Sequence, residues 1–466
     1  MLEDGDHIKS KLRDIVRKAE IRNVRFAIPD FEERKKIRTI IINYIKRKKR
    51  VIFGGTAIEK WIKKSDPDRS IYSSEVLGDI EFYSPQPLED MYNICNILYK
   101  KKFKNIVGRE AMHPETYSIF VENTAFCDIS YMTDSIVRNN IPTTSFAGVR
   151  YTNPEFLVND MYRVFSNPLH DYPFRLEKVY GRYLLLQKHY FNPMKKPTEC
   201  KDSNFDKETD DIRQFIFDKF IVGNKDVIMS GSGAYEYYIQ QSNYPKNKGV
   251  PYKPQDFYDT VLIVNDIRPE ALKILKLLKD REDITVREYT KFFQFFDRKL
   301  TIFYKDKPII TLMRHNNICT PYHTMEHGSK FFQIVSFDSL IQYINAMMFR
   351  DKLNRENYYC MFYWLFQVRN YYLSKNQLSG IEEDNLFSHF IIDCKWITKS
   401  AIYLRMEQRK KRFSEKKGRT VHEYRPENKV ITDPPNKKYI NASGNQIIQK
   451  SKLYINENKF LPDNIK

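Results

Sequence analysis

VLGDIEFYSP, residues 76–85, carries two acidic residues in a segment that otherwise has the pattern of a β-strand, and it decides the fold prediction. Strands contain few acidic residues, and side chains two positions apart lie on the same face. Asp79 and Glu81 are therefore expected side by side. Two like charges at this distance repel each other unless a cation neutralises them, so the strand predicts a site for divalent metal ions.

A short apolar strand and a glycine turn precede this acidic strand. Val51–Phe53 is apolar, and Gly54, Gly55 and Thr56 separate it from apolar residues at helical spacing. Glycines between a strand and a helix let backbone N–H groups approach a phosphate group closely, and the Thr56 hydroxyl is a further candidate donor. The turn therefore predicts a triphosphate-binding element next to the metal site.

A third acidic residue lies in the second of two apolar strands that follow, YSIFVE and TAFCDISYM. Asp128 is the lone acid of that strand. Two carboxylates on one strand and a third on its neighbour can hold a pair of Mg²⁺ ions, which prefer oxygen ligands. Such a pair stabilises both oxygens of an in-line displacement at phosphorus.

The second half of the chain repeats the order of the first half. The paired positions are Gly54 with Gly231, Asp79 with Asp259, Glu81 with Val261, Asp128 with Thr311, and Thr152 with Ser336. The separation within these pairs rises slowly along the chain, as small loop insertions would produce. The sequence therefore predicts a duplication whose second copy has lost two of its three acids.

Composition limits the partners and the compartment. The chain has 466 residues and a net charge of +19, which favours a polyanion such as nucleic acid, although an AT-rich coding sequence would also raise the lysine content. The longest apolar run, 358–366, is far shorter than the ~20 residues of a membrane helix. No secretory signal pattern opens the sequence, so we expect an intracellular protein that does not contact a membrane.

The spacing of the cysteines predicts neither a disulfide framework nor a cysteine zinc site. The six cysteines occur singly, without a CxxC pair, at positions 95, 127, 200, 319, 360 and 394. We expect them to be reduced and buried.

Three motifs carry a resemblance to a known superfamily: FGGT at 53–56, GDIEF at 78–82 and CDISY at 127–131. They resemble the glycine turn, the acidic pair and the isolated acid of the polymerase-β-like nucleotidyltransferases. Within that superfamily the chain resembles the catalytic poly(A) polymerase subunit of poxviruses and other large cytoplasmic DNA viruses.

This resemblance implies a role for each motif residue. Asp79 and Glu81 would bind both Mg²⁺ ions, with Mn²⁺ as an alternative, and Asp128 would bind the ion that activates the primer 3′ hydroxyl. Gly54, Gly55 and Thr56 would hold the phosphates of ATP. Basic residues would contact RNA, and the candidates are Lys46, Arg47, Lys48, Lys49, Arg50, Arg409, Lys410, Lys411 and Arg412.

The predicted fold class is α/β, of the α+β type with mixed sheets, in two tandem nucleotidyltransferase-like domains of which the second is degenerate. Extra helices and a basic C-terminal tail complete the prediction. The expected ranges are a catalytic domain at 1–195, a linker at 196–207, the degenerate domain at 208–405 and a loosely structured basic tail at 406–466.

The predicted function is template-independent transfer of AMP from ATP to an RNA 3′ end, with release of pyrophosphate. A uridylyltransferase or a CCA-adding enzyme is the alternative within the class, since the metal site does not distinguish bases. A non-catalytic RNA-binding scaffold is the alternative outside it. A homodimer and a separate processivity subunit both stay open, and the resemblance places the protein in the infected cytoplasm or the virion.

Overall fold

The computed structural model describes most of the chain between residues 29 and 396 and short pieces elsewhere. The described residues are 15, 18, 29–72, 77–111, 115–167, 169, 174–190, 196–197, 200, 206–245, 249–251, 260–315, 319–381, 385–396, 423–428, 431–432 and 456–457. None of the helices within these ranges is both long enough and apolar enough to span a membrane.

The first sheet contains the acidic strand. Its strands are β1 (Val51–Phe53), β2 (Ile80–Ser84), β3 (Ile106–Glu110), β4 (Thr116–Val121), β5 (Thr124–Tyr131), β6 (Thr143–Phe146), β7 (Val149–Thr152), β16 (Glu423–Tyr424) and β17 (Ile431–Thr432). Their order in the sheet is β17-β16-β3-β4-β5-β2-β1-β7-β6. The helices of this part are α1 (Phe31–Arg47), α2 (Gly54–Ser65), α3 (Pro87–Lys100) and α4 (Asp134–Asn139).

The second sheet repeats this plan. Its strands are β8 (Val227–Ser230), β9 (Thr260–Val264), β10 (Ile284–Tyr289), β11 (Lys299–Tyr304), β12 (Lys307–Arg314), β13 (Thr320–His327), β14 (Lys330–Val335), β15 (Cys394–Lys395) and β18 (Asn456–Glu457). The helices are α5 (Pro154–Phe165), α6 (Phe174–His189), α7 (Lys207–Ile216), α8 (Gly231–Gln241), α9 (Ile267–Leu277), α10 (Phe337–Arg350) and α11 (Arg355–Asn376), with a π-helical turn at Phe217–Ile221.

Seven strands of each sheet correspond one to one. The order β3-β4-β5-β2-β1-β7-β6 in the first sheet matches β10-β11-β12-β9-β8-β14-β13 in the second. The directions match as well: the acidic strand β2 pairs parallel with β5 and antiparallel with β1, and β9 pairs parallel with β12 and antiparallel with β8. The predicted mixed α/β fold with a duplicated plan is confirmed.

Local sequence signals account for the elements that frame the acidic strand. Helix α1 begins after Asp30, whose side chain caps it by accepting a hydrogen bond of 2.7 Å from the Glu33 N–H. Along β2, Ile80 and Phe82 are fully buried, whereas Glu81 between them is only half-buried. The alternation gives this strand one apolar face against the core and one face for the acids.

The chain divides into two compact units whose limits differ from the predicted ranges. One comprises the chain up to 137 with 143–153 and 405–444; the other comprises 138–142, 154–404 and 445–466. Helices α5 and α6 thus belong with the second sheet, where α5 packs against α10 and Phe156 contacts Phe349 ring to ring at 4.9 Å. The functional ranges 1–195 and 208–405 stay a prediction.

The tail contributes short strands where it is described. Glu423–Tyr424 pairs with β3 at one edge of the first sheet, and Asn456–Glu457 pairs with β10 at an edge of the second. The loosely structured tail at 406–466 stays a prediction. The rest of 406–466, including Arg409–Arg412, lies outside the described residues.

The expectation that all cysteines are reduced is wrong for four of them. Cys200 pairs with Cys360 and Cys319 pairs with Cys394, with Cα–Cα distances of 5.8 and 5.5 Å. The partners are 160 and 75 residues apart in sequence, so a rule based on short spacings cannot detect them. Cys95 and Cys127 are free and buried, as expected.

Candidate active site

The glycine turn connects β1 directly to α2. Gly54 has φ +63°, a left-handed conformation that residues with a side chain rarely adopt. A Cβ atom on Gly54 would also overlap the carboxylate of Glu81. The turn and the acidic strand therefore approach so closely that only glycine fits at position 54.

Backbone register places two of the predicted acids side by side. Glu81 on β2 and Asp128 on β5 are direct partners in the parallel ladder, so their side chains point to the same face at adjacent strands. Asp79 precedes the first residue of β2 by one position and is exposed to solvent. Its spacing of two residues from Glu81 matches the period of the strand.

Local donors stabilise the carboxylates of the two paired acids. The Gly55 N–H donates to Glu81 Oε2 at 2.8 Å, and the Ser118 hydroxyl donates to Asp128 Oδ1 at 2.5 Å. Gly55 lies in the first turn of α2, where backbone N–H groups have no partner within the helix and the helix dipole favours a negative charge. Glu81 therefore occupies one of the donors that were predicted to hold a phosphate.

The three acids do not form one ligand set in this structure. Among the described residues, no group of three or more His, Cys, Asp or Glu side chains is arranged to hold a metal ion. Asp79, Glu81 and Asp128 nevertheless provide the hard oxygen donors that Mg²⁺ prefers, on neighbouring backbone positions. The chemistry of the donor set thus fits the ion, although the Glu81 and Asp128 carboxylates accept hydrogen bonds from protein donors in this structure.

Thr56 faces the acidic strand. Its hydroxyl donates to the Asp79 carbonyl oxygen at 2.7 Å and accepts a hydrogen bond of 3.1 Å from Arg38 Nη2. The side chain is buried, so its hydroxyl joins the turn to β2 and does not face solvent. Sequence reasoning missed Arg38, because one arginine within the basic segment of α1 carries no distinguishing pattern.

Charge and burial define the surroundings of the acids. Burial lowers the pKa of Arg38 from its ordinary value, while Tyr72, Tyr151 and Asp79 act in the opposite direction. Burial raises the pKa of the Cys127 thiol, and the negative charges of Asp128 and Asp79 raise it further. Cys127 therefore stays a neutral thiol on the apolar face of β5, behind the acids.

A buried ion pair supports the opposite end of β2. Asp90 is fully buried and accepts from Arg50 Nε at 2.8 Å, from the Tyr44 hydroxyl at 2.6 Å and from the Ser84 hydroxyl at 2.6 Å. Burial, together with the Asp90 hydrogen bond, raises the pKa of Tyr44. The network connects α1, α3 and the end of the acidic strand.

The predicted RNA-contacting cluster at 46–50 contains one largely buried and four exposed residues, because the Asp90 network includes Arg50. Arg50 points inward to Asp90, with only 12% of its side chain exposed. Lys46 is exposed and donates to the Ala147 carbonyl oxygen at 2.8 Å. The other exposed members are Arg47, Lys48 and Lys49.

The second copy preserves the backbone of the site but lacks two of its three acids. Gly231 has φ +65°, nearly the value of Gly54, and follows Ser230 at the start of α8. Val261 and Thr311 are ladder partners, as Glu81 and Asp128 are in the first copy, and both are almost completely buried. The Thr311 hydroxyl lies 2.8 Å from the Thr301 hydroxyl. The predicted equivalence of these positions agrees with the register, and Asp259 lies outside the described residues.

Comparison with known proteins gives matches along the whole chain. Residues 39–171 match the family model described as "Poly(A) polymerase catalytic subunit", and residues 186–457 match the model described as "APMV, Putative poly(A) polymerase, catalytic subunit, C-terminal". These two matches lie in the first and second halves of the duplicated plan.

Individual relatives agree with the family matches. A protein of Acanthamoeba polyphaga mimivirus, described as "Putative poly(A) polymerase catalytic subunit", is 30% identical over 98% of this chain and 85% of its own length. A protein of African swine fever virus with the same description is 29% identical over 33% of each chain. Among solved structures, "Crystal structure of the Megavirus polyadenylate synthase" has a TM-score of 0.75 and 28% identity, and the match covers 100% of this chain and 92% of that one.

Proposed function

The chain belongs to the viral poly(A) polymerase catalytic subunit family, and from that premise we propose that it extends RNA 3′ ends by template-independent transfer of AMP from ATP, releasing pyrophosphate. The observation that carries the proposal is the register of Glu81 and Asp128 on adjacent strands beside the Gly54 turn. Membership of the family assigns polymerase activity to the chain. The local geometry supports the proposed position of the active site.

Three residues would hold the metal ions. Asp79 and Glu81 would bind two Mg²⁺ ions, which Mn²⁺ can replace, and Asp128 would complete the site for one of them. When bound, such ions lower the pKa of the attacking hydroxyl and stabilise the charge on the transferred phosphoryl group. The Ser118 hydroxyl, which donates to Asp128, would hold that carboxylate in a fixed direction.

The glycine turn has two uses in this proposal. Backbone N–H groups at the start of α2 would bind the phosphates of ATP, with Gly54 and Gly55 giving the close approach and Thr56 fixing the turn to Asp79. The Gly55 N–H donates to Glu81, so a bound phosphate would compete with Glu81 for this donor. Nucleotide binding would then release the Glu81 carboxylate from the turn and make it available to a cation.

RNA is the polymer substrate in this proposal. The exposed Lys46, Arg47, Lys48 and Lys49 lie on the helix that precedes β1, and the tail cluster Arg409–Arg412 adds further charge. Contacts to phosphates do not depend on base identity, as repeated addition requires. A fall of primer affinity with salt that becomes shallower when Lys48 and Lys49 are replaced by glutamine would support these contacts.

The family supports a proposal for the partners and the location of this chain. The description as a catalytic subunit supports a separate processivity subunit, with a homodimer as the alternative, and the relatives support a location in the cytoplasm of an infected cell or in the virion. Co-purification of this chain from infected cells tests for a separate subunit, and the mass of the purified chain in solution tests for a homodimer.

Primer extension with single nucleotides tests the proposed reaction. The wild-type chain is expected to extend an RNA primer with ATP and Mg²⁺, and Asp79→Asn is expected to reduce the rate by at least about 100-fold while primer binding is retained. Asp259→Asn is the matched control, because this residue is the equivalent position in the copy without the full acid set. Preferential use of UTP, or equal rates for Asp79→Asn and Asp259→Asn, would contradict the proposal.

A further inference from the structure

Arg38 is held against the backbone around Asp79, and we propose that it is a positioning residue that sets the direction of the Asp79 side chain for metal binding. This inference rests on the proposed function, because it assigns a role within the same site. Arg38 lies on α1, outside the glycine turn and outside both acidic strands, and no motif in the sequence marks it.

Two hydrogen bonds connect Arg38 to this backbone. Its Nη1 donates to the Gly78 carbonyl oxygen, and its Nη2 donates to Thr56 Oγ1 at 3.1 Å. Thr56 Oγ1 donates in turn to the Asp79 carbonyl oxygen at 2.7 Å. Arg38 thus holds the peptide group before Asp79 directly and holds the peptide group after it through Thr56.

The orientation of these two peptide groups fixes the direction of the Cα–Cβ bond of Asp79. Peptide groups are planar, so fixing the carbonyl direction on each side of a residue leaves little freedom to the φ and ψ angles between them. The direction of the Cα–Cβ bond follows from those angles. Arg38 and Thr56 therefore constrain the base of the Asp79 side chain without contacting its carboxylate through these bonds.

Asp79 needs such a constraint because the strand ladder does not include it. The ladder of β2 begins at Ile80, which pairs with Cys127, and at Glu81, which pairs with Phe53. Glu81 and Asp128 are thus oriented by sheet hydrogen bonds on both sides of their strands. Asp79 is the one acid of the predicted set that lies before its strand begins, and the Arg38 contacts take the place of the ladder there.

The chemistry of an arginine suits this role. A guanidinium presents several N–H donors in a rigid planar fork, so it can hold two acceptors at once, whereas a lysine ammonium has no fixed fork. The positive charge of Arg38 also interacts favourably with the negative charge of Asp79. Two of the five N–H donors of Arg38 are directed at Gly78 and Thr56, so protein groups hold both terminal nitrogens of the guanidinium.

Steady-state kinetics of two single variants and their double variant test the assignment. Arg38→Met is expected to lower kcat by about 10- to 100-fold, the cost of a small misplacement in a site of this kind, with KM for ATP changed by no more than about twofold. The Mg²⁺ concentration for half-maximal rate is expected to rise. Thr56→Val, which replaces the hydroxyl by a methyl group, is also expected to lower kcat. The reduction of kcat in the double variant is expected to be smaller than the product of the reductions in the two single variants.

Controls separate positioning from general destabilisation. Arg34→Met makes the same substitution one turn earlier on α1, where the side chain contacts the Phe31 ring at 5.5 Å, and is expected to leave kcat and the Mg²⁺ dependence unchanged. Thr56→Ser keeps a hydroxyl and is expected to restore most of the activity that Thr56→Val loses. A raised KM for ATP with unchanged kcat, or fully multiplicative effects of Arg38→Met and Thr56→Val, would overturn the proposal.

Mn²⁺ binding gives a readout that does not depend on turnover. Titration followed by electron paramagnetic resonance is expected to show weaker Mn²⁺ binding by Arg38→Met and Thr56→Val than by the wild type and Arg34→Met. If the wild type bound Mn²⁺ in this way but added no AMP, the proposed function would fail and the role of Arg38 would stand. If the wild type added AMP while Arg38→Met matched it in rate and Mn²⁺ affinity, the role of Arg38 would fail alone.

Discussion

At the scale of single residues, Glu81 and the glycine turn depend on each other. The Glu81 carboxylate fills the space that a side chain on residue 54 would need, and it accepts a hydrogen bond from the Gly55 N–H. The N-terminus of α2 carries partial positive charge, which stabilises an acid at this point. The turn therefore supports the acid, and a change at Gly54 affects the Glu81 carboxylate as well as the turn.

Replacement of Gly54 by alanine tests this dependence. The left-handed φ costs a residue with a side chain roughly 1–2 kcal/mol, and the added Cβ must displace the Glu81 carboxylate. Gly54→Ala is therefore expected to lower the rate of AMP transfer by at least about 10-fold and to reduce the free energy of unfolding by about that strain. Primer extension and chemical denaturation measure the two effects.

Gly181→Ala is the matched control for this prediction. Gly181 lies within α6, and a Cβ there would meet nothing within 4 Å. Alanine in a helix is favoured over glycine by roughly 0.5–1 kcal/mol, so this variant should be slightly more stable and fully active. An active Gly54→Ala variant with the stability of Gly181→Ala would contradict the described geometry.

At the scale of elements, β2 is fixed at its two ends by different means. Its start carries the acids and is held by Arg38 and Thr56, whereas Ser84 at its end donates to the buried Asp90. Arg50 compensates the charge of Asp90 in a site that is almost free of solvent. Removing one partner of such a pair leaves an uncompensated buried charge or unpaired donors.

Asp90→Ala is expected to reduce the free energy of unfolding by about 3–5 kcal/mol, because Arg50 and the hydroxyls of Tyr44 and Ser84 would lose their shared acceptor. Urea denaturation measures this loss. Glu32→Ala is the control on the adjacent helix, since the Glu32–Lys35 pair is largely exposed and contributes about 0–1 kcal/mol. Equal losses in the two variants would show that the Asp90 network does not support the sheet.

Local patterns predicted the elements around the site better than the contacts between them. The Val51–Phe53 strand and the glycine turn follow from short-range propensities, and both are found in the structure. Arg38 and Asp90 were missed because Gly78 lies 40 residues from Arg38 and Arg50 lies 40 residues from Asp90, and only the folded chain brings these pairs together. The hydrogen bond between Gly55 and Glu81 was missed for the same reason.

At the scale of the whole molecule, one backbone plan occurs twice and only one copy keeps the acids. The predicted pairing of Glu81 with Val261 and of Asp128 with Thr311 agrees with the register of both sheets. Val261 and Thr311 are almost completely buried, so the second copy offers neither the charge nor the exposure for a metal site at these positions. The sequence predicted this asymmetry because an acid is recognisable within an apolar strand, whereas the disulfide pairing of distant cysteines left no such pattern.

The most direct test of the central claim is anomalous scattering from a crystal of the full chain grown with Mn²⁺ and a non-hydrolysable ATP analogue. Mn²⁺ peaks are expected within ligand distance, about 2.0–2.3 Å, of carboxylate oxygens of Asp79, Glu81 and Asp128. The phosphates of the analogue are expected at the N-terminus of α2. No peak is expected beside Val261 and Thr311. Bound analogue with Mn²⁺ elsewhere, and with those three carboxylates bound only to protein donors, would contradict the central claim.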